Sequence, residues 1–264
     1  SEGDTSSYDF KASLLEELAG QDDLTAKILY WEIREIGDTP YGIQVQSFIP
    51  GKPLENYPDK EQSIAINRSV YKMHQRLFAA STRLDTKTVP DIHEVIQQFI
   101  PLVGDCPIKT AATNLLARKR YLELISQAES CIIDGDLWYK NIHVEQTKSR
   151  IDARLVDIDP LIIGPKILQP AILFSSYYLL TDLTNNGNEP KLFGIDDLLT
   201  AWPEPLAKED VLLMMQVFPI GVGLLKEFRF SQDPQTNPED RRMALEPSEK
   251  CLQLILQISG MDIG

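Results

Sequence analysis

The character of the chain changes sharply at Pro50-Gly51. Before this point, residues 28–36 and 41–49 are rich in apolar and aromatic residues, and the turn-forming residues 37–40 separate them. Beyond it, apolar residues recur mainly at helical spacing to the end of the chain. The sequence therefore predicts an α+β fold with a small β-containing front part and a large, mostly helical body.

Three strand signals interrupt the helical body, at residues 131–133, 142–145 and 151–156. The last two are joined by a polar turn at residues 146–150, which predicts a single embedded hairpin. No strand signal follows residue 156, and after Gly164 and Pro165 the pattern is helical to the end of the chain.

The charge balance narrows the classes of protein that fit. The chain has 264 residues, with 26 Lys and Arg against 39 Asp and Glu, so its formal charge is −13. We expect no nucleic-acid partner, because the phosphate backbone needs a basic face.

Residues 211–225 are the longest apolar run, but Gln216 and Pro219 lie inside it, which favours a buried helix pair and no membrane partner. Three widely spaced cysteines are typical of a reduced, soluble, cytoplasmic protein.

An Asp and an Asn with a fixed spacing follow the first strand of the body. The strand runs into Gly135, Asp136 comes next, and Asn141 lies five positions after Asp136, directly before the next strand. Asp157 follows the far strand of the hairpin, so we expect Asp136, Asn141 and Asp157 to converge at one end of it. Mg²⁺ prefers oxygen ligands and takes one or two of them from protein when phosphates supply the rest. A further carboxylate can orient an attacking hydroxyl, so the set suits phosphoryl transfer.

These residues resemble a known motif. Residues 134–141 are similar to the H-G-D-L-x-x-x-N motif of the aminoglycoside phosphotransferase and choline kinase superfamily, the small-molecule relatives of protein kinases. Asp157 falls where that family has its second metal-binding Asp. Residues 41–54 resemble the last front-lobe strand, the hinge and the start of the helical lobe, and residues 70–74 resemble the following L-x-x-L-H helix. Parts of the motif are also similar to the fructosamine kinase and streptomycin kinase branches.

The resemblance implies a protein-kinase-like, two-lobed fold. Residues 1–51 would form a partial front lobe with the hinge at residues 47–51, and residues 52–264 would form the helical lobe. The implied activity is transfer of phosphate from ATP, with Mg²⁺, to a hydroxyl of a small molecule of the aminoglycoside or amino-sugar type. In that scheme Asp136 orients and deprotonates the hydroxyl, and Asn141 and Asp157 hold the Mg²⁺ ion.

The remaining contacts are expected at the hinge and on the later helices. The adenine would hydrogen-bond to the main chain at Ser47, Phe48 and Ile49, because hinge strands offer backbone donors and acceptors. The substrate would lie against residues 174–178 and 217–230. Nothing in the sequence indicates the oligomeric state.

Several polar residues admit two interpretations. The acidic residues Glu204, Glu209 and Asp210 are either solvated surface or help to recruit a cationic substrate. Trp138 either stacks on substrate or packs, and Asp159 either adds to an acidic cleft or serves a turn. His74 and His143 are interpreted as structural.

Two positions depart from the family pattern close to the motif. Asp134 stands where the family has a His before Gly-Asp. Gln169, five residues after Gly164, stands where the family has an Asp. A carboxylate at Asp134 would raise the pKa of one Asp of the pair if both faced the cleft. It could equally point outward without effect.

A third departure concerns the phosphate clamp. No Gly-rich hairpin and no Lys-bearing strand occur before residue 20, and Lys11 is a poor candidate because it opens a helix. Residues 10–20 are interpreted as the helix that follows the Lys strand, with Glu16 or Glu17 as its ion-pair residue. We therefore expect the chain to begin just after that strand, and keep a pseudokinase-like binding protein as the alternative to an enzyme.

Overall fold

The computed structural model describes residues 10, 13–14, 18, 28–36, 39–54, 59–127, 129–137, 139–148, 151–157, 160–184, 195–233 and 236–260. The strands are β1 (Ile28–Ile36), β2 (Thr39–Gln46), β3 (Lys52–Pro53), β4 (Ser130–Asp134), β5 (Ile142–Gln146), β6 (Ile151–Leu155) and β7 (Leu161–Pro165). The helices are α1 (Lys60–Ser81), α2 (Ile92–Phe99), α3 (Pro107–Ala117), α4 (Lys119–Gln127), α5 (Leu168–Thr184), α6 (Ile195–Ala201), α7 (Lys208–Met215), α8 (Val217–Gln232) and α9 (Pro238–Ser259).

Within the described residues the strands form three small antiparallel sheets. β1 and β2 make a front hairpin, β5 lies between β3 and β6, and β4 pairs with β7. Helices make up most of the chain after β3. The predicted α+β class, with small sheets in front and a larger helical part behind, is confirmed.

Many of the predicted elements are found close to their expected bounds. β1 covers the whole of the predicted strand 28–36, and β4, β5 and β6 each lie within one residue of prediction at either end. The described residues of the predicted front helix, which include Leu14 and Leu18, are helical, and both leucines are buried. Helices α3 and α4 are divided at Arg118, whose ψ of 119° is extended.

The expectation of no strand after β6 is wrong, because β7 pairs with β4 over its full length. The sequence of β7 ends in Gly164 and Pro165, after which the sequence predicts helix. An added Cβ on Gly164 would stand 2.7 Å from Cδ2 of Leu168 and 3.4 Å from Cγ2 of Ile92. The glycine is therefore required by close packing on the neighbouring helices, and it does not end the strand.

α1 lies at the centre of the helical body. It begins at a reciprocal capping arrangement, in which the side chain of Asp59 accepts from the N–H of Gln62 and the side chain of Gln62 accepts from the N–H of Asp59. Its inner face carries the buried residues Val70, Met73 and Leu77. This face contacts β4 and β6, so α1 supports the strands that flank the predicted motif.

The segment 208–232 is long and apolar enough to cross a membrane by length and composition, but 72% of its apolar window is buried inside the fold. It is divided at Gln216 into α7 and α8, as expected for a buried helix pair. The core of the helical body therefore accounts for its apolar character.

Two glycines of α8 provide a matched test of this packing. An added Cβ on Gly221 meets nothing within 4 Å, whereas one on Gly223 would stand 2.9 Å from Cγ1 and Cγ2 of Ile108 in α3. We expect Gly221→Ala to raise the free energy of unfolding by about 0.5–1 kcal/mol, because alanine favours the helix. Gly223→Ala should lower it by about 1–3 kcal/mol through overpacking. Urea unfolding of both variants measures the difference, and shifts of the same sign would contradict the packing of α8 on α3.

His74 of α1 predicts a pH dependence of stability. Its pKa is lowered from 6.5 to about 4, first by burial, while the charge of Glu204 raises it and that of Lys166 lowers it. Between these two pH values the unfolded chain binds a proton here that the folded chain does not, so stability falls as the pH drops. From pH 7 to pH 4.5 the wild type should lose about 2–3 kcal/mol more than His74→Gln, measured by urea unfolding. Equal losses in both proteins would contradict a neutral, buried His74.

Candidate active site

The turn after β4 depends on Gly135. Its N–H donates to the carbonyl oxygen of Pro160 at 2.8 Å. A Cβ atom on residue 135 would stand 2.7 Å from that same oxygen, closer than real Cβ atoms come. Only glycine lets the two backbone segments approach so closely, and their approach sets the direction in which Asp136 leaves the strand.

Asp136 and Asn141 are in direct contact. The Nδ2 group of Asn141 donates to carboxylate oxygen Oδ2 of Asp136 at 3.1 Å and to the main-chain oxygen of Asp136 at 3.0 Å. A single 3-10 turn, Tyr139–Asn141, carries Asn141 to the start of β5. Because Nδ2 is engaged, Oδ1 is the amide atom that suits a metal ion.

Asp157 lies at the same end of the β5–β6 hairpin as Asn141. Ile142 is opposite Leu155 in the ladder, and the N–H of Val156 donates to the carbonyl oxygen of Asn141 at 2.9 Å. Asp157 follows Val156 directly, and its side chain is exposed. Both residues are therefore at the open end of the hairpin, away from its turn, and their predicted roles as metal ligands stay predictions.

The two departures from the family motif contact each other. Asp134 is fully buried, and its Oδ1 atom accepts the N–H of Asp136 at 3.1 Å. The Oε1 atom of Gln169 accepts the N–H of Asp134 at 3.0 Å, and Nε2 donates to the Asp134 carbonyl oxygen at 3.4 Å. An amide makes both bonds because it carries a donor and an acceptor, whereas a carboxylate carries acceptors only. Glutamine therefore suits a position beside an aspartate that is already buried.

The predicted hinge residues Ser47, Phe48 and Ile49 lie just after β2. Phe48 is 87% exposed, whereas Ile49 is 8% exposed. The pKa of His143 on β5 is lowered by burial, and a main-chain group of Ile49 acts in the opposite direction. His143 therefore lies near the main chain of Ile49, and the predicted adenine contacts stay predictions.

The donor set at the open end of the hairpin fits magnesium better than a transition metal. Across the described ranges no group of three or more His, Cys, Asp or Glu residues could hold a metal ion. Asn141 and Asp157 offer one amide oxygen and one carboxylate, and Mg²⁺ commonly takes one or two such ligands when phosphates complete its shell. A structural zinc site needs four protein ligands, usually with sulfur or imidazole donors.

Other residues singled out from the sequence have different outcomes. Asp210 accepts hydrogen bonds at 2.7 and 2.6 Å from Nε and Nη2 of Arg120, so its carboxylate belongs to an ion pair between α4 and α7. That pairing does not favour a role for Asp210 in recruiting a cationic substrate. The predictions for five further residues lie outside the described part of the chain: Lys11, Glu16, Glu17, Trp138 and Asp159.

No protein-family model and no curated protein matches this sequence. Among solved structures, an amicoumacin kinase in complex with AMP-PNP and Ca²⁺ superposes with a TM-score of 0.68 at 14% identity, covering 99% of this chain and 81% of that one. The choline kinase LicA from Streptococcus pneumoniae gives 0.60 at 13% identity, covering 97% and 80%. The GDP complex of aminoglycoside 2'-phosphotransferase-IIIa gives 0.58 at 12% identity, covering 94% and 82%.

These similarities confirm the protein-kinase-like fold that the motif resemblance implied. The solved structures are small-molecule kinases and phosphotransferases, so the chain has the fold of the aminoglycoside phosphotransferase and choline kinase superfamily. At 12–14% identity the likeness shows the fold alone. The chemistry of this chain therefore has to be argued from its own residues.

Two contacts of the site were missed by sequence reasoning. Gln169 was noted only as a residue that lacks the family's charge, and His143 only as a structural histidine. Residue 169 lies 35 positions from Asp134, and His143 lies on β5, whereas Ile49 follows β2. The departure of positions 134 and 169 together from the family pattern is the one signal that pointed to their contact.

The pairing of Gln169 with Asp134 predicts a double-variant result. Gln169→Glu places a second carboxylate against a fully buried one and removes the donor to the Asp134 carbonyl, so we expect a loss of about 2–4 kcal/mol in unfolding free energy at pH 7. Asp134→Asn keeps an acceptor for the N–H of Asp136 and removes the charge. In the double variant at least half of the loss should be recovered, as measured by urea unfolding in a double-mutant cycle. Additive effects of the two substitutions would contradict the contact.

Proposed function

We propose that this protein is an ATP- and Mg²⁺-dependent phosphotransferase that acts on a hydroxyl of a small molecule, of the aminoglycoside or amino-sugar type. The observation that carries the proposal is the contact between Asp136 and Asn141 at the open end of the β5–β6 hairpin. The fold, which is that of small-molecule kinases, supports it.

Asp136 is proposed to receive the attacking hydroxyl. Its carboxylate is held in one orientation by the N–H donor of Asn141, and its main-chain N–H is held by Asp134. A carboxylate fixed in this way orients an alcohol toward the phosphate, and the alcohol's proton passes to it late in the reaction. Orientation is the larger contribution, because an ordinary carboxylate is a weak base toward an alcohol.

Oδ1 of Asn141 and the carboxylate of Asp157 would hold the Mg²⁺ ion. When bound, the ion would neutralise charge on the nucleotide phosphates. The exposure of Asp157 leaves its carboxylate open to a ligand that enters from solvent. With only one carboxylate among the two ligands, little negative charge is added beside a triphosphate.

The hinge is proposed to hold the adenine through main-chain groups of Ser47, Phe48 and Ile49. The solved structures of this fold that bind AMP, AMP-PNP and GDP support a nucleotide as the phosphate donor. The strand that follows the proposed hinge, β3, pairs with β5, which begins directly after Asn141, so one sheet joins the proposed base-binding and metal-binding residues.

A nucleotide-binding protein without efficient turnover is the second candidate. It is favoured by Asp134 and Gln169, which stand where the resembled motif has a His and an Asp. The two candidates differ in a simple observable, because both bind Mg-ATP and raise the thermal midpoint, but only the enzyme releases ADP in the presence of an acceptor alcohol.

Asp136→Asn tests the proposed mechanism directly. It should lower kcat for phosphate transfer about 100-fold or more, because the group that orients and deprotonates the hydroxyl is lost, while Mg-ATP affinity changes less than about threefold. ADP release with a panel of aminoglycosides and amino alcohols measures kcat, and calorimetry measures affinity.

Asp152→Asn is the matched control, since Asp152 lies on β6 near the turn of the same hairpin. It should leave both quantities close to wild type. Turnover by Asp136→Asn at the wild-type rate would overturn the mechanism. Mg-ATP binding to the wild type without ADP release with any acceptor of the panel would favour the second candidate.

A further inference from the structure

A cavity lies away from the turn that carries Asp136. It has a volume of about 250 Å³, and its walls come from α1, α4, the outer ends of β4 and β7, α5 and the segment after α6. Glu129 and Lys166 mark the end of the β4–β7 pair where Ser130 is opposite Pro165, whereas Asp134 is at the other end. The five residue steps from Glu129 to Asp134 span about 17 Å of strand. None of the proposed catalytic, metal-binding or hinge residues lines this cavity.

A buried imidazole lines the cavity. His74 is 6% exposed, and among the described residues no hydrogen-bond partner reaches its Nδ1 atom. Burial lowers its pKa to about 4, so the ring is neutral near pH 7. The Nδ1 atom is itself buried, so the ring gives the cavity an uncharged wall rather than an open hydrogen-bonding group.

The charges around His74 favour a cation. The ammonium group of Lys166 is paired with Glu129 at 2.7 Å and lies 3.4 Å from the ring centroid of Phe78, so its charge is already engaged. The carboxylate of Glu204 instead accepts a hydrogen bond from a neutral donor, the hydroxyl of Tyr71, at 2.5 Å. Because Glu129 and Lys166 neutralise each other, the three charged residues of the lining leave a net charge of −1, from Glu204.

The remaining walls are apolar and firmly packed. Trp202 is 5% exposed and stands edge-to-face against Tyr71 and Phe174, with ring centroids 5.5 and 6.2 Å away. Ile167 and Leu206 add aliphatic surface. At roughly 30 Å³ for each water-sized group, the cavity accommodates about eight such groups. A ligand of six to eight non-hydrogen atoms with one charged end matches this volume.

We propose that this cavity is a second ligand site that binds a small primary ammonium ion with a short hydrocarbon tail. The ammonium group pairs with the carboxylate of Glu204, beside the neutral ring of His74. The tail lies against Trp202 and Ile167. The proposal does not depend on phosphoryl transfer, because the site shares no residue with the proposed catalytic machinery.

Pentylammonium is a suitable probe, and 1-pentanol is its uncharged match. The protein has three histidines, so the ring resonances of His74 can be followed by NMR and assigned with His74→Gln. We expect saturable shifts of the His74 resonances with pentylammonium. The affinity for 1-pentanol should be lower by about tenfold or more. Calorimetry on the same samples gives the affinities.

Glu204→Gln should weaken pentylammonium binding about tenfold or more, since it removes the charge and keeps an acceptor for Tyr71. Glu209→Gln, a nearby exposed carboxylate on α7, is the matched control and should bind as the wild type does. Thermal unfolding of each variant verifies that the fold is retained.

Three results would overturn the proposal. The first is equal affinity for the amine and the alcohol, and the second is wild-type affinity in Glu204→Gln. The third is loss of binding in Asp136→Asn with retention in Glu204→Gln, which would assign the ammonium ion to the catalytic cleft. Because every readout is ligand binding, none of these results bears on whether the protein transfers phosphate.

Discussion

The hydrogen bonds around the Asp134–Asp136 turn are the constraint on which the rest of the candidate site depends. The turn receives bonds from three separate parts of the chain: the loop before β7 through Pro160, the first turn of α5 through Gln169, and the start of β5 through Asn141. The bonds to Pro160 and Gln169 join parts of the chain that are distant in sequence, whereas Asn141 lies five positions from Asp136. The position of the Asp136 carboxylate therefore depends on the packing of β7 and α5 as well as on the local turn.

The hairpin that carries Asn141 also contacts the residues that follow β2. β5 pairs with β3, and Gly51 approaches it so closely that an added Cβ would stand 3.0 Å from the Val144 carbonyl group. The φ of Gly51 is +105°, a region that L side chains rarely adopt. These contacts place the residues that follow β2 against the hairpin that carries Asn141.

The part of the fold that was predictable depends on contacts between close neighbours in sequence. The β1–β2 hairpin, α1 and the β5–β6 hairpin follow from turn residues, capping residues and apolar spacing. β7 was missed because its partner, β4, lies about 30 residues away and because Gly164 and Pro165 resemble a break. The same limit applies to the site. The order of Asp136, Asn141 and Asp157 indicated a phosphotransferase motif, but nothing in that order showed that Gln169 supports Asp134.

The resemblance of the motif to a known family indicated the kinase-like class, and residue spacing indicated the candidate catalytic loop and the hairpin that carries Asn141, because short-range backbone geometry places those groups. Only the folded chain decided that Asp134 is buried, that His143 lies near the main chain of Ile49, and that His74, Trp202 and Glu204 line a cavity. These features arise where helices and strands from distant parts of the sequence pack together. Burial and the pairing of polar groups depend on that packing, and no local pattern in the chain encodes it.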